Sequence, residues 1–296
     1  MVVNQQTLHA LAVGYNTAYN KGFDSIEKTY DKIATTVPSS TSEQTYPWLG
    51  QMPGMKEWIG EREIQKLAAH GYSIRNRKFE MTIAVPRDMI DDDTHGVFTP
   101  MFTQMGESAA LHPQELVYEC LKAGFVQKCY DEKPFFSAEH EVNGVKYSNL
   151  SDQKLSAESY RAARTAMMGL VGDAGKPLGL VPDLLVVPPA LEYEANLILK
   201  ADQINGTSNV LKDTAQLLVA PELADMPDAW FLLCTKRFLK PLVYQERKKI
   251  KFTSFTKDTD PNVFLKDEYV YGADGRDNAG YGFWQMAQGS TGKAEG

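Results

Sequence analysis

The 296 residues carry 31 Lys and Arg against 38 Asp and Glu, a formal net charge of −7, with 43% hydrophobic and 23% charged residues. This is the make-up of a globular chain with enough apolar material for one large core or two smaller ones, and it excludes disorder throughout. The acidic balance argues against a protein whose main work is gripping phosphate backbones, so any nucleic acid is a neighbour and not a tightly held ligand. No stretch approaches the ~20 apolar residues that span a bilayer. Residues 1–22 lack the basic, apolar and small-residue succession of a secretion signal, so the expectation is a protein made and kept in a cytoplasm. Cys120, Cys129 and Cys234 are odd in number and show no C-x-x-C spacing, which indicates neither a disulfide framework nor a zinc knuckle but reduced, buried thiols.

Residues 1–42 hold short apolar clusters (Leu8, Leu11, Val13; Phe23, Ile26, Ile33) and end in a polar run over 35–42 whose linker-like composition predicts an arm joined to a body. Over 56–85, β-formers and charges flank Ala68-Ala69-His70-Gly71, predicting a long hairpin with one strand ending near Leu67 and the next starting at Tyr72. The apolar face switches from even positions (Tyr72, Ile74) to odd ones (Phe79, Met81, Ile83, Val85), which requires a bulge, a strong twist or a change of burial partner. The distal half carries Glu57, Glu61, Arg62, Glu63, Lys66, Arg75, Arg77 and Lys78 and too few apolar residues for a core of its own, so it needs a neighbouring surface.

Asp91-Asp92-Asp93-Thr94 is suited to capping a helix start. Phe98, Phe102, Met105, Ala109, His112, Leu116, Cys120 and Ala123 then recur at helical spacing and predict an amphipathic helix of about eight turns. Pro113 removes a backbone donor and crowds the preceding turn, so a kink or break is expected near Ala109. Residues 135–150 read as a loop with a small turn at Asn143-Gly144. A second helix follows Ser156, with Tyr160, Ala163, Met167 and Leu170 inward, Arg161 and Arg164 outward, and an end at Gly172. Residues 183–187 suit a buried strand, and Pro188-Pro189 opens a helix with Leu191, Ala195, Ile198 and Leu199 on one face. Strands are expected at 229–234 and 239–245, the latter followed by the basic patch Arg247-Lys248-Lys249-Ile250-Lys251. Residues 268–272 and 281–286 read as a hairpin around a Gly- and Asp-rich loop over 273–280.

Few patterns suggest chemistry. Gly106-Glu107-Ser108-Ala109-Ala110 resembles the G-x-S-x-G nucleophile elbow but lacks its last glycine, lies inside the predicted helix and is followed only by His112 and His140, so Ser108 reads as an ordinary helix residue. Asp258-Thr259-Asp260-Pro261-Asn262 begins like a calcium loop but has Val263 where a glycine is needed and Tyr269 where a glutamate is needed, so it reads as a solvated turn. Asp91-Asp92-Asp93 with His95 reads as helix capping and Glu139-His140-Glu141 as a surface loop, each lacking the spaced partners of a metal shell. Gly172-Asp173-Ala174-Gly175-Lys176-Pro177 does not match a phosphate-cradling frame. The strip from Arg247 to Lys251 reads as a solvated strand edge or a contact with an acidic neighbour. What emerges is an α/β (α+β) protein with an arm, a projecting charged hairpin, one long helix, and no catalytic, cofactor-binding or metal set. Its arm and hairpin point to assembly with copies of the same chain.

Pro182-Asp183-Leu184-Leu185-Val186-Val187-Pro188-Pro189-Ala190-Leu191-Glu192, Trp230-Phe231-Leu232-Leu233 and Lys240-Pro241-Leu242-Val243-Tyr244-Gln245-Glu246-Arg247-Lys248-Lys249 follow one another in order. With Lys266-Asp267-Glu268-Tyr269-Val270-Tyr271-Gly272 and Asn278-Ala279-Gly280-Tyr281-Gly282-Phe283-Trp284-Gln285, they resemble the Mu-type bacteriophage major head protein family, found also in Mu-like prophages. The resemblance spans nearly the whole chain and is strongest over 180–288. It implies the tailed-phage major capsid fold, Hong Kong 97-like, with an N-terminal arm at 1–45 and an extended hairpin loop at 46–90 lying across a neighbouring subunit. A peripheral domain at 91–155 would contain a spine helix over about 97–130, an axial domain would occupy 156–243, and return strands of the peripheral domain and a C-terminal tail 244–296.

The function so implied is that of a non-enzymatic major capsid protein, self-assembling into hexamers and pentamers of an icosahedral shell that encloses double-stranded DNA. The implied location is the virion, assembled in the bacterial host cytoplasm, with portal, scaffold and decoration proteins of the same phage as partners and no membrane or cofactor. Glu57, Glu61, Arg62, Glu63, Lys66, Arg75, Arg77 and Lys78 are then expected to make inter-subunit contacts, and Arg247, Lys248, Lys249 and Lys251 a basic contact strip. Two alternatives remain: the shell of a cellular nanocompartment with the same fold, which packages protein instead of DNA, and a serine hydrolase using Ser108, which Ser108→Ala would disable.

Overall fold

Two sheets organise the chain in a computed structural model that describes residues 5–47, 71–93, 96–172, 175–204 and 206–293. The first has four strands in the order β1 (Ala34–Pro38), β13 (Leu242–Phe255), β14 (Glu268–Tyr281), β4 (Arg77–Pro86), with β1 parallel to β13 and the other pairs antiparallel. The second has five, in the order β11 (Gln216–Val219), β8 (Leu184–Val187), β12 (Trp230–Leu233), β15 (Ala287–Ser290), β7 (Leu150–Ser151). Three short antiparallel pairs complete the strands: β2 (Glu43–Thr45) with β3 (Ser73–Arg75), β5 (His140–Val142) with β6 (Val145–Tyr147), and β9 (Gln203–Ile204) with β10 (Thr207–Ser208).

In the five-stranded sheet β8 and β12 are buried along their whole length, which is why both read as unbroken apolar runs without alternation. The chain passes from β8 to its parallel partner β11 through α6 (Glu192–Lys200), the crossover that parallel pairing demands, and α6 buries Ala195, Ile198 and Leu199 as its spacing predicted. Ahead of this unit lies α5 (Ala157–Met168), started by a reciprocal cap in which Ser156 Oγ accepts from Ser159 N while Ser156 N donates to Ser159 Oγ. It ends before Gly169, short of the expected Gly172. Arg164 does not point outward: its Nη1 donates to the carbonyls of Pro182 at 2.6 Å and Thr214 at 3.1 Å.

Against the inner face of the four-stranded sheet pack α1 (Gln5–Ser25) and α4 (Thr99–Ala123). Tyr15, Phe102 and Tyr271 form a ring cluster there, with centroids 4.1 Å apart for Tyr15 and Phe102 and 4.8 Å for Phe102 and Tyr271. Two glycines allow the helices to touch: a Cβ on Gly106 would overlap the Tyr19 carbonyl, and one on Gly22 the Thr103 carbonyl. Helix α4 is uninterrupted through Pro113, so the break expected near Ala109 does not occur; the buried ring sits within a helix held on two sides. At 25 residues it is closer to seven turns than eight, and Pro100 in its first turn marks the start. The aspartates do not cap it, since Asp91 closes the short α3 (Arg87–Asp91) and Asp93 Oδ1 accepts from Val97 N.

Several composition-based readings yield to tertiary pairing. The polar run over 35–42 is no linker, because Thr35, Thr36 and Val37 pair with Val243, Tyr244 and Gln245. Residues 268–281 form one strand and not the two arms of a hairpin: Tyr269, Tyr271, Ala273 and Asp277 alternate inward along it, and its turn partner is β13, reached through α7 (Pro261–Lys266). The loop expected at 135–150 contains the β5–β6 hairpin, closed at Asn143 (φ 52) and Gly144 (φ 77), the two left-handed residues a tight primed turn needs. The switch of apolar face between residues 74 and 79 is a change of partner, from β2 against β3 to β14 against β4, with buried Asn76 at the junction. The final strand β15 joins the five-stranded sheet and does not return to the four-stranded one. The strand expected to end near Leu67 and the turn residues 68–70 lie outside the described residues, as do Thr94, His95, Asp173 and Ala174.

Candidate functional site

The basic residues singled out in the sequence meet across the four-stranded sheet. Beyond Glu246, β13 has no further pairing with β1, so Arg247, Lys248, Lys249 and Lys251 lie where that edge is open, as a solvated strand edge. Register places Lys78 of β4 opposite Arg276 of β14, and Arg276 opposite Lys248 of β13, so three cations stand in one row on the face turned away from the helices. Lys248 is paired with Asp274. Arg276 Nε is buried without a hydrogen-bond partner. Arg75 and Arg77 are exposed nearby, with the Arg77 guanidinium 5.1 Å from the Phe79 ring centre. Sequence reading missed Arg276 because it sat in a segment taken for a loop. Glu57, Glu61, Arg62, Glu63 and Lys66 lie outside the described residues.

Between α4 and the sheet opens a cleft of about 230 Å³, lined by Phe79, Met81, Ile250 and Ala273 below and by Ser108, His112 and Glu115 along the helix. His112 Nε2 lies 3.1 Å from Asp277 Oδ1, and Tyr244 Oη donates to Asp277 Oδ2 at 2.6 Å, so this fully buried carboxylate has a partner on each oxygen. Burial, then the Asp277 charge, pushes the Tyr244 hydroxyl far above its ordinary value. Ser108 is exposed in mid-helix and not on a strand-to-helix elbow, so the geometry that would activate it is missing.

A third cluster overturns the surface-loop reading of residues 139–141. His140 is fully buried, and Cys129 and Asp131 converge on it. Cys129 Sγ donates to Asp131 Oδ1 at 3.1 Å, and His140 Nδ1 is 2.5 Å from Asp131 Oδ2. Burial works against the Asp131 charge, but the hydrogen bonds from His140 and Cys129 outweigh it and hold the carboxyl below its usual range. Burial, then the neighbouring Asp131 charge, raises the Cys129 thiol well above the ordinary thiol value.

Residues 8–153, 146–223 and 222–295 match the family model described as Mu-like prophage major head subunit gpT. The chain belongs to this family. It is 34% identical over 287 residues to the major capsid protein of Escherichia phage Mu, covering 97% of this chain and 74% of that protein. It is 33% identical over 291 residues to the Mu-like prophage FluMu major head subunit of Haemophilus influenzae, covering 98% of this chain and 75% of that protein. Among solved structures, the procapsid of bacteriophage JBD30 contains a chain similar at a TM-score of 0.62 and 34% identity, over 99% of this chain and 77% of that one. A virus-like particle from Pyrococcus furiosus reaches a TM-score of 0.54 at 10% identity, over 94% and 98% of the two chains, and shares the fold alone. The head subunit therefore has the Hong Kong 97-like capsid fold in its α+β form and is a virion major capsid protein. Its relatives are named as structural head proteins, which fits a chain without catalysis, and the nanocompartment reading is not favoured. No helix among the described residues is long and apolar enough to cross a membrane.

Proposed function

We propose that this head subunit assembles with copies of itself into hexamers and pentamers of a closed icosahedral shell around double-stranded DNA. The observation that carries the reading is the 34% identity, over 99% of the chain, to a subunit of an assembled phage procapsid. In this reading residues 1–45 act as the arm and 46–90 as the extended hairpin loop over a neighbour, anchored in the subunit's own four-stranded sheet by β1 and β4; 91–155 act as the peripheral domain with the spine helix α4, 156–243 as the axial domain, and 244–296 as the return strands and tail, apart from β15, which joins the five-stranded sheet. Portal, scaffold and decoration proteins of the same phage join the shell, and assembly takes place in the bacterial host cytoplasm.

The cation row supports a contact between copies. Like charges opposite one another across a sheet destabilise it, and Lys78, Arg276 and Lys248 are answered within the chain by Asp274 on Lys248, with Arg276 Nε left bare. An acidic surface of a neighbouring subunit completes the row. At the far end of the same sheet Phe264 and Leu265 of α7 are 81% and 74% exposed, an apolar tip that a neighbour would remove from water. Electron microscopy with light scattering on the purified chain, with and without co-expressed neighbours from its locus, tests the reading. Megadalton rings, tubes or closed shells are expected, and a strictly monomeric species under all conditions would overturn it.

A further inference from the structure

Cys129 Sγ, a carboxylate oxygen of Asp131 and a ring nitrogen of His140 all lie within 4.8 Å of one another. A tight turn builds one half of the cluster: Glu132 N donates to the Cys129 carbonyl at 3.1 Å, Cys129 N to the Lys133 carbonyl at 2.8 Å, and Glu132 takes a left-handed φ of 65 to close it. Strand β5 brings the other half. His140 stacks flat on Trp284, with ring centres 4.1 Å apart, and its Nε2 faces Phe135 O at 3.2 Å and Asn149 Oδ1 at 3.1 Å. The Asn149 amide has a fixed orientation, because its Nδ2 donates to the carbonyls of Phe135, Trp284 and Ala287 while its Oδ1 accepts from Ser137 N. Both atoms facing Nε2 are thus acceptors, so Nε2 carries a proton and Nδ1 is the nitrogen aimed at Asp131 and Cys129. A metal-ligating histidine is held in this way, with one N–H committed to a carbonyl and the other nitrogen directed at the ion.

We propose that Cys129, Asp131 and His140 bind one divalent cation of the zinc class, a structural staple in the head subunit. Thiolate, carboxylate and imidazole are the donors zinc takes, at bond lengths of about 2.0 to 2.3 Å that set tetrahedral ligand atoms roughly 3.5 Å apart. Side-chain movements of about an ångström therefore close the present cluster around an ion. Charge balances in the bound state. Binding releases the Cys129 S–H proton to solvent, and the thiolate, carboxylate and neutral imidazole around two positive charges sum to zero. The bound ion thus leaves no net charge in a buried place. Water takes the fourth position on the side of Asp131, whose side chain keeps 18% exposure. The ion fastens the loop after α4 to β5 and, through Trp284 and Asn149, to the start of β15.

The test uses the full chain, stripped with chelator and titrated with cobalt(II) alone. One equivalent is expected to bind with a thiolate-to-cobalt charge-transfer band and the visible absorption of a tetrahedral site. The band persists in the Cys120→Ser/Cys234→Ser double variant, where Cys129 is the remaining thiol, and disappears in Cys129→Ser and in His140→Gln. Zinc raises the wild-type Tm, and chelator reverses the rise. A folded wild-type chain that shows no such band at stoichiometric cobalt overturns the proposal, and so does a band that survives Cys129→Ser or is lost in a folded double variant. If Cys129→Ser fails to fold, the wild-type and double-variant titrations still decide.

Discussion

At Gln245, which is fully buried, the side-chain oxygen accepts from Tyr46 Oη at 2.8 Å while the amide donates to Ile74 O at 3.0 Å and Asn76 Oδ1 at 2.7 Å. One amide thus ties the β2–β3 pair to the first part of β13. Burial raises the Tyr46 hydroxyl from its ordinary 10.0 to about 12. Since the folded-state value is the higher one, this contribution to stability is complete below about pH 10 and is lost as pH rises through about 12. Tyr46→Phe is therefore expected to cost about 1 to 2 kcal/mol near neutral pH, by leaving Gln245 Oε1 without its donor, and to make the alkaline loss of stability shallower. Urea unfolding at neutral pH and at about pH 11 reads both effects, and equal slopes for variant and wild type would refute the second. Residues of this kind were hidden in the sequence. Tyr46 and Gln245 are far apart in the chain, and so are His112 and Asp277. Cys129, Asp131 and His140 share no metal-ligand spacing and converge only once a turn and a hairpin have formed.

Among the elements, the crossing of α1 and α4 makes a prediction whose sign opposes intrinsic propensity. Alanine in place of an exposed mid-helix glycine favours a helix by about 1 kcal/mol. At Gly106 the added Cβ meets the Tyr19 carbonyl, which is backbone and cannot swing away. Gly106→Ala is expected to lower Tm and to expose α1 to limited proteolysis while leaving the β-sheet signal in circular dichroism intact. A raised Tm would mean that the helices do not cross at this point. Elements whose own burial repeats were legible from sequence: the stripe of α4, the apolar runs of β8 and β12, and the cap of α5 at Ser156 follow from local pattern. Elements that take their conformation from a distant partner were not. Residues 35–38 are polar enough for a linker and become β1 because β13 offers an open edge. Gly275 and Gly280 suggested a loop, yet β14 runs through both because it is paired with β13 along its length and with β4 as far as Asp277. Pro113 does not break α4 for a related reason: a helix packed on two sides absorbs one missing hydrogen bond that an isolated helix would not.

For the whole molecule the question is how a chain with a net charge of −7 brings its copies together. Self-repulsion of the acidic balance acts at long range and is screened over about 8 Å at physiological salt, so attraction has to come from surfaces where the local sign is reversed. The outer face of the four-stranded sheet is such a surface, with Lys78, Arg276 and Lys248 in one row, and the exposed Arg75 and Arg77 lie at the neighbouring end of the sheet. Pairing of this row with an acidic patch on a neighbour fixes register and speeds encounter more than it deepens affinity. Arg75, Arg77 and Lys78 are exposed in the single chain, and changes at such positions usually shift stability by less than about 0.5 kcal/mol each. Arg75→Glu, Arg77→Glu and Lys78→Glu together should therefore leave the Tm of the unassembled subunit nearly unchanged but abolish or weaken particle formation. High salt should loosen wild-type particles in the same direction, because screening acts on the contact that reversal destroys. Light scattering and electron microscopy across a salt series, with Tm measured on unassembled chains, separate the two levels. Particles of wild-type yield and salt resistance from the triple variant would remove the cation row from the interface and leave apolar surfaces such as the α7 tip to hold the copies together.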